Sequence, residues 1–164
     1  MSIILNGTTG ITTPAIDSEA RFASADMPAG SVLQVVAVQS TTQVAITTSG
    51  PQSIGLSTSM TVSANSKVIM SSAVPFFNDG SASTWTNAGT STLYLDGSQV
   101  AYSEHVGTTT GEAAAWTNSF QFLVGPLSAG THTFEVKHGR TIGGTHVMMR
   151  DGRAGSLILT EVAG

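Results

Sequence analysis

The sequence predicts an all-β fold, an antiparallel β-sandwich that is jelly-roll-like, and three observations indicate it. Only 10% of the 164 residues are charged, and the polar share is carried by 21 Ser, 23 Thr and 18 Gly. No charged residue occurs from Met27 to Ser66. A surface helix normally carries charged side chains on its polar face, whereas strands accept Thr and Ser there. Frequent turn signals between short apolar stretches are typical of sandwiches and barrels.

Alternation of apolar and polar residues places the individual strands. Apolar residues recur at every second position over most of 54–63, and the alternation is clearer still over 131–138. This period of two is expected of half-buried strands. The stretches 32–38 and 156–162 are nearly continuous apolar sequence, which predicts central strands covered on both faces.

Turn signals complete the order of elements. Asp96 and Gly97 lie between two strand-like runs, which is a strong hairpin signal. Segment 78–92 is rich in Ser, Thr, Asn and Gly, and segment 105–115 contains the Gly- and Thr-rich stretch 107–111. Both segments are predicted to form exposed loops. We expect a jelly roll of about eight strands, drawn from strand-like stretches at 31–39, 43–48, 54–63, 67–74, 91–95, 98–105, 116–124, 131–138, 145–150 and 155–162.

The chain is predicted to divide into an N-terminal arm, 1–30, and one sandwich domain, 31–164. A chain of this length can support its own hydrophobic core. The run from Pro14 to Ala25 is the one stretch suited to a short helix, since Pro14 lies near its first turn. Asp17 and Glu19 also favour the helix dipole there.

Charge and composition exclude several classes of function. The net charge is −4 and the chain has only six Lys and Arg residues, so we expect no nucleic-acid partner. The chain has no Cys, which excludes disulfides and thiolate metal sites. No apolar run is long enough to cross a membrane, and the first residues lack the features of a signal peptide.

Several short segments form an ordered pattern along the chain. The first three are the opening ILNGTTGITTP, then GSVLQVV, then ANSKVIMSSAV. The opening resembles the N-terminal segment of virion proteins of tailed bacteriophages, especially marine and cyanobacterial phages, and the other two resemble the β-sandwich domain of those proteins. The pattern continues in order through LYLDGSQVA, GPLSAGTHTFEVK and GSLILTEVA. The resemblance implies a trimeric, jelly-roll-like component of the virion, made in the host cytoplasm and located on the capsid surface or the tail. Its partner would be the major capsid protein or a tail protein.

Two roles stay open within this class. A compact domain with one arm fits a capsid decoration or cement protein, and a tail-fibre or fibre-tip protein is the alternative. The chain has neither a coiled-coil shaft nor an attachment domain beyond the arm, which favours the cement role. Arginine is favoured at interfaces because its planar fork binds carboxylates. The expected virion contacts are Ile3, Ile4, Leu5 and Phe22 of the arm, together with Arg140, Arg150 and Arg153.

Aromatic side chains suggest a second class of function, the binding of host surface glycans. Flat aromatic rings stack on sugar rings, and Trp85 lies in the predicted loop 78–92. Tyr94 and Tyr102 flank the Asp-Gly turn and are expected to lie close together across the hairpin. The alternative for these aromatic residues is packing in the core or in a subunit interface.

No catalytic motif is present, so we expect a non-enzymatic protein without a cofactor. His132 and His138 share one strand face but lie roughly 20 Å apart, too far to bind one ion. His146 can join one of them across strands, which gives two ligands without a carboxylate. We therefore expect packed, hydrogen-bonded histidines and no metal site. One histidine from each of three subunits at a three-fold axis remains the open alternative.

Overall fold

The computed structural model describes residues 27–79, 85–109, 115–142 and 144–164. Within these ranges the backbone alone is described for residues 79, 85–87 and 107–109. The predicted helix from Pro14 to Ala25 lies outside the described residues. So do the expected arm contacts Ile3, Ile4, Leu5 and Phe22.

The described residues form ten strands in two antiparallel sheets, which confirms the predicted all-β sandwich. A short 3₁₀ turn at Arg150–Gly152 precedes the last strand. The strands are β1 (Val32–Ser40), β2 (Val44–Ile46), β3 (Gln52–Val62), β4 (Lys67–Asp79), β5 (Trp85–Leu95), β6 (Ser98–Thr109), β7 (Ala115–Val124), β8 (Gly130–Ile142), β9 (Thr145–Met148) and β10 (Gly155–Val162).

The long strand β4 is the centre of the first sheet. One of its edges pairs with β7 along most of its length. Its other edge pairs first with β10 and then with β9. Strand β1 pairs with β10, and β2 pairs with β9. The first sheet therefore contains β1, β2, β4, β7, β9 and β10.

The second sheet has the order β3-β8-β5-β6. Strands β5 and β6 form the predicted hairpin, which the structure confirms. Asp96 and Gly97 have φ of 49° and 78°, as a two-residue hairpin turn of type I′ requires. Glycine at position 97 accepts this left-handed conformation without steric cost.

Side chains at alternate strand positions fill the space between the sheets. Phe134 and Leu93 from the second sheet and Phe76 and Leu157 from the first are all fully buried. The remaining large, fully buried side chains are Ile46, Ile54, Leu56, Met60, Met70, Met148, Met149 and Leu159. This core sets the distance between the sheets and fixes which residues face each other across it.

The predicted loops at 78–92 and 105–115 are wrong over most of their length. Strand β4 continues to Asp79, β5 begins at Trp85, and β6 continues to Thr109. Asn78 and Ala88 in the first of these segments are only 3% and 2% exposed. Ser and Thr are good strand residues when a neighbouring strand satisfies their hydroxyls, so their abundance does not indicate a loop.

The stretches 32–38 and 156–162 are predicted to be central strands covered on both faces, and this prediction is also wrong within the single chain. Strand β1 pairs only with β10 among the described strands, and Val35 is 58% exposed. Strand β10 is central, but Ile158 on its outward face is 40% exposed. The continuous apolar sequence therefore supplies both a core face and an apolar outer face.

A buried carboxylate ties three strands together where β10 ends. Glu161 is 2% exposed. Its carboxylate accepts hydrogen bonds from the backbone N–H of Ser63 at 2.8 Å and from Nε2 of Gln34 at 2.6 Å. Burial raises the pKa of Glu161, but the hydrogen bonds from these groups and from Ser66 outweigh it and lower the pKa overall.

In the described part of the chain, no helix is long and apolar enough to span a membrane.

The β5–β6 turn carries an ion pair to the neighbouring strand β8. Nδ1 of His132 lies 2.7 Å from Oδ2 of Asp96, and Nε2 of His132 donates to the Ser128 carbonyl at 3.0 Å. These two hydrogen bonds raise the pKa of His132. The backbone N–H of Thr133, followed by His132, lowers the pKa of Asp96.

We expect Asp96→Asn to reduce stability by about 1 kcal/mol or less, because asparagine keeps the left-handed turn but removes the charge. The raised pKa of His132 contributes stability below its unfolded value of about 6.5, and this is lost as pH rises through the folded value. The lowered pKa of Asp96 contributes stability above its unfolded value of about 3.9, and this is lost as pH falls. The destabilisation should therefore be largest between these two values in urea denaturation. A destabilisation that grows above about pH 8 would contradict the ion pair.

Candidate metal centre

Three histidines meet inside one end of the sandwich. His105 lies on β6, His138 on β8 and His146 on β9. One ring nitrogen from each lies within 4.8 Å of the other two. His138 and His146 are fully buried, and His105 is partly exposed on β6, the edge strand of the second sheet.

The two sheets contribute unequally to this cluster. His105 and His138 project from the second sheet, and His146 projects from the first. Phe76 on β4 packs against all three imidazoles, with ring centroids at 4.1 Å from His105, 5.4 Å from His138 and 5.6 Å from His146. The other rings close to Phe76 include Trp116, which stacks on it at 5.5 Å.

Gly89 provides the space in which the imidazoles converge. It lies on β5, between the strands that carry His105 and His138, and it pairs directly with His105. A Cβ at position 89 would lie 2.7 Å from Cε1 of His105 and 2.9 Å from Nε2 of His138. It would also lie 2.9 Å from Cε1 of His146. Any larger residue at this position would therefore fill the point that the three rings face.

The hydrogen bonds of the cluster are incomplete. Nε2 of His138 lies 3.1 Å from Nδ1 of His146, and Nδ1 of His138 lies 3.2 Å from Oγ of Ser91. Among the described residues, neither ring nitrogen of His105 has a hydrogen-bond partner, and Nε2 of His146 has none. Leaving a buried polar atom unpaired costs about 1–3 kcal/mol.

Burial keeps the three rings neutral. It lowers the pKa of His138 to about 3 and the pKa of His105 to about 4, with neighbouring histidines as the second cause. Burial, followed by the Arg140 guanidinium, also lowers the pKa of His146, and the carbonyl of Ile142 partly offsets this. Neutral imidazole is the form that binds a metal ion.

The arrangement has the donor atoms of a three-histidine metal site. Zinc–nitrogen bonds are about 2.0–2.1 Å, so two nitrogen ligands of a tetrahedral ion lie about 3.3 Å apart. The 3.1 Å separation between His138 and His146 is close to this value. The largest separation in the cluster, at most 4.8 Å, must shorten by about 1.5 Å to reach it.

The cluster differs from the metal chemistry expected from the sequence. The sequence suggests a cross-strand partner for His146, which the structure identifies as His138, but it assigns no role to His105. The hairpin register does not supply that role, because regular pairing from the Asp-Gly turn would place Glu104 opposite Gly89. A register shift between Leu93 and Tyr94 brings His105 there instead. His132 is held elsewhere by Asp96, as expected of a hydrogen-bonded histidine.

The arginines predicted as virion contacts lie in two places. Arg150 and Arg153 both pack over the ring of Phe77, at 5.5 Å and 4.4 Å from its centroid. These are cation–π distances. Arg140 lies on β8, where its Nη1 donates to the carbonyl of Gly144 at 3.3 Å.

The tyrosines predicted to bind glycans lie on the outer face of the second sheet. Tyr102 is 64% exposed, and it pairs with Thr92. Tyr94 lies under Lys137, whose Nζ is 4.4 Å from the ring centroid. The side chain of Trp85 lies outside the described part of the structure.

Comparison with known proteins identifies no family. No family model matches the chain, and no curated protein matches it. Among solved structures, the chain is similar to the VP2 subviral particle of infectious bursal disease virus, with 19% identity and a TM-score of 0.36. It is also similar to infectious bursal disease virus of the Gx strain, with 14% identity and a TM-score of 0.36.

These two matches cover 77% and 93% of this chain but only 32% and 43% of the matched chains. The chain therefore spans less than half the length of either one. Similarity at these identities and TM-scores carries no inference about function, ligands or partners.

We expect Gly89→Ala to lower the free energy of unfolding by about 1–3 kcal/mol, because its Cβ would collide with all three imidazoles. Gly50→Ala is the matched control, since a Cβ there has nothing within 4 Å. Its effect should stay below about 1 kcal/mol. Guanidinium denaturation with EDTA present measures both. Equal losses in the two variants would show that the space above Gly89 is not restricted.

Proposed function

We propose that this chain is a non-enzymatic structural protein of a virion, a homotrimer that decorates or cements the outside of a capsid. The observation that carries this proposal is an uncharged outer face on the first sheet. The resemblance of the sequence to virion proteins of tailed phages supports the same class. The sequence contains no catalytic motif that would favour an enzymatic role instead.

The uncharged outer face is the side of β1, β10, β4 and β7 that turns away from the second sheet. Its exposed apolar residues include Val35 at 58%, Leu123 at 52% and Ile158 at 40%. The face consists of three rows of residues paired across the strands, which are Val35-Thr160-Ile69-Leu123, Ala37-Ile158-Ser71-Gln121 and Gln39-Ser156-Ala73-Ser119.

The absence of charge from these rows favours contact with another copy of the chain. Removing an ionised side chain from water is costly unless it finds a partner, whereas these rows contain only apolar groups, hydroxyls and amides. A shallow depression of about 320 Å³ lies between Ile158 and Gln121, and a side chain from a neighbouring subunit can fill it. Contiguous exposed apolar surface commonly marks an interaction site.

Charged groups lie at the ends of this face, which suits a contact with a different partner. Arg150 and Arg153 cover Phe77 at one end, and Lys67 lies at the other. In the proposed assembly the arginines face carboxylates of the shell, since the guanidinium fork binds them in a bidentate manner. The major capsid protein is the partner that this arrangement fits.

A tail-fibre or fibre-tip protein that binds host glycans is the second candidate. The exposure of Tyr102 favours it, because an exposed aromatic ring on a sheet face can stack on a sugar ring. Val106 lies on the same strand and is 67% exposed, so Val106→Ala is a matched control for Tyr102→Ala. Loss of host-cell binding in the tyrosine variant alone would favour the glycan role over the cement role.

We expect native mass spectrometry of the full chain to give a trimer, and Ile158→Lys to shift it toward the monomer. The lysine would place an unpaired charge in the centre of the proposed interface. Val106→Lys is the matched control, because it adds the same charge to the outer face of the second sheet. It should leave the trimer intact.

A monomeric wild-type chain would overturn the proposed assembly. Equal dissociation by both lysine variants would instead show that the uncharged outer face is not the interface. Circular dichroism of each variant establishes that the fold is retained.

A further inference from the structure

We propose that His105, His138 and His146 bind one Zn²⁺ ion per chain and that this ion joins the two sheets. Three independent features of the cluster carry the proposal: converging donor atoms, a space kept open at the point of convergence, and ring nitrogens without partners. Each feature involves described side chains from both sides of the sandwich.

The converging atoms point to a metal ion instead of ordinary packing. Nε2 of His138 and Nδ1 of His146 lie 3.1 Å apart. In the absence of a metal, one of these nitrogens must carry a hydrogen and donate a hydrogen bond to the other. That single bond leaves both nitrogens of His105 and Nε2 of His146 without a hydrogen-bond partner among the described residues. A metal ion gives His105 a partner and accepts lone pairs from all three rings.

The space above Gly89 lies where such an ion would lie. A Cβ there would contact Nε2 of His138 at 2.9 Å and the Cε1 atoms of the other two histidines. Since Cε1 lies between the two ring nitrogens, the rings of His105 and His146 must turn to direct a nitrogen at this space. Gly89 has no positive φ, so backbone conformation does not explain the glycine.

Ser91 acts as a positioning residue for the proposed site. Its Oγ lies 3.2 Å from Nδ1 of His138 in the buried interior. If Nδ1–H donates a hydrogen bond to Oγ of Ser91, Nε2 carries no hydrogen and its lone pair is directed at the space above Gly89. A metal-binding histidine commonly donates its second N–H to a nearby acceptor in this way.

The ligand set favours zinc over alkaline-earth ions. Imidazoles suit Zn²⁺ and Cu²⁺, whereas Mg²⁺ and Ca²⁺ prefer carboxylate and carbonyl oxygens. Three histidines leave a fourth position, which water occupies in many zinc sites. His105 is partly exposed as a residue, but both of its ring nitrogens are buried. The positive charge of Arg140 lowers the pKa of His146. The same charge repels a cation and so weakens its binding.

The proposed site does not depend on the virion role. The histidines lie between the sheets, whereas the uncharged outer face lies on the outside of the first sheet. Zinc titration and the trimer measurement can therefore fail separately. An ion held by β6, β8 and β9 would stabilise the sandwich by joining strands of its two sheets.

The test is isothermal titration of the full, tag-free chain with ZnCl₂ after EDTA treatment and dialysis. We expect one Zn²⁺ per chain. The melting temperature should rise by about 5–10 °C when free Zn²⁺ exceeds its Kd about 100-fold. We expect His105→Gln to weaken binding more than 100-fold, since loss of an outer partner alone costs about 10- to 100-fold. Ser91→Ala should fall within that 10- to 100-fold range.

His132→Gln is the matched control, because His132 is the one described histidine that lies outside the cluster. Its Kd for Zn²⁺ should equal that of the wild type. The absence of zinc binding by folded wild-type protein would overturn the proposal, and so would equal weakening in His132→Gln and His105→Gln. His105→Gln affects a partly exposed edge-strand residue, so it remains informative if a substitution at buried His138 prevents folding.

Discussion

Three neutral imidazoles occupy one end of the space between the two sheets, and the packing there depends on their staying uncharged. His138 and His146 have no contact with solvent, and the ring of Phe76 lies against both. Two protonated rings at 3.1 Å would repel each other in a medium that screens charge poorly. Burial removes this repulsion by lowering the pKa values of the histidines. A bound cation would remove it differently, by using the lone pairs that neutral rings present.

Glu161 is buried like the histidines, but its hydrogen bonds are satisfied within the chain, and this contrast shows why the histidines are unusual. That carboxylate is also buried, but backbone and side-chain donors surround it and keep it ionised. Its hydrogen-bonding capacity is used within the chain, so it needs no ligand. The cluster of histidines retains unused capacity among the described residues. Unused capacity at a buried position is what distinguishes a candidate binding site from a packed polar network.

Local patterns predict the strands of this protein well, but contacts across the sandwich are not local. Alternation along 131–138 and the Asp-Gly turn correctly place β8 and the β5–β6 hairpin. The same reasoning fails over 85–90, because a segment rich in Ser, Thr, Asn and Gly can be a strand, here the first half of β5, as well as a loop. The meeting of His105 with His146 requires knowing which strand of the first sheet faces the end of β6. No spacing in the sequence contains that information.

In the folded chain, uncharged residues form the outer face of the first sheet. The uncharged rows on the first sheet are the feature on which the proposed assembly depends, while the buried histidines are the feature on which the proposed metal site depends. The most direct test of that site is X-ray absorption at the zinc edge on the full chain with one equivalent of Zn²⁺. We expect three imidazole nitrogens at about 2.0–2.1 Å from the ion. A zinc shell made of oxygen atoms, with one imidazole or none, would overturn the three-histidine site.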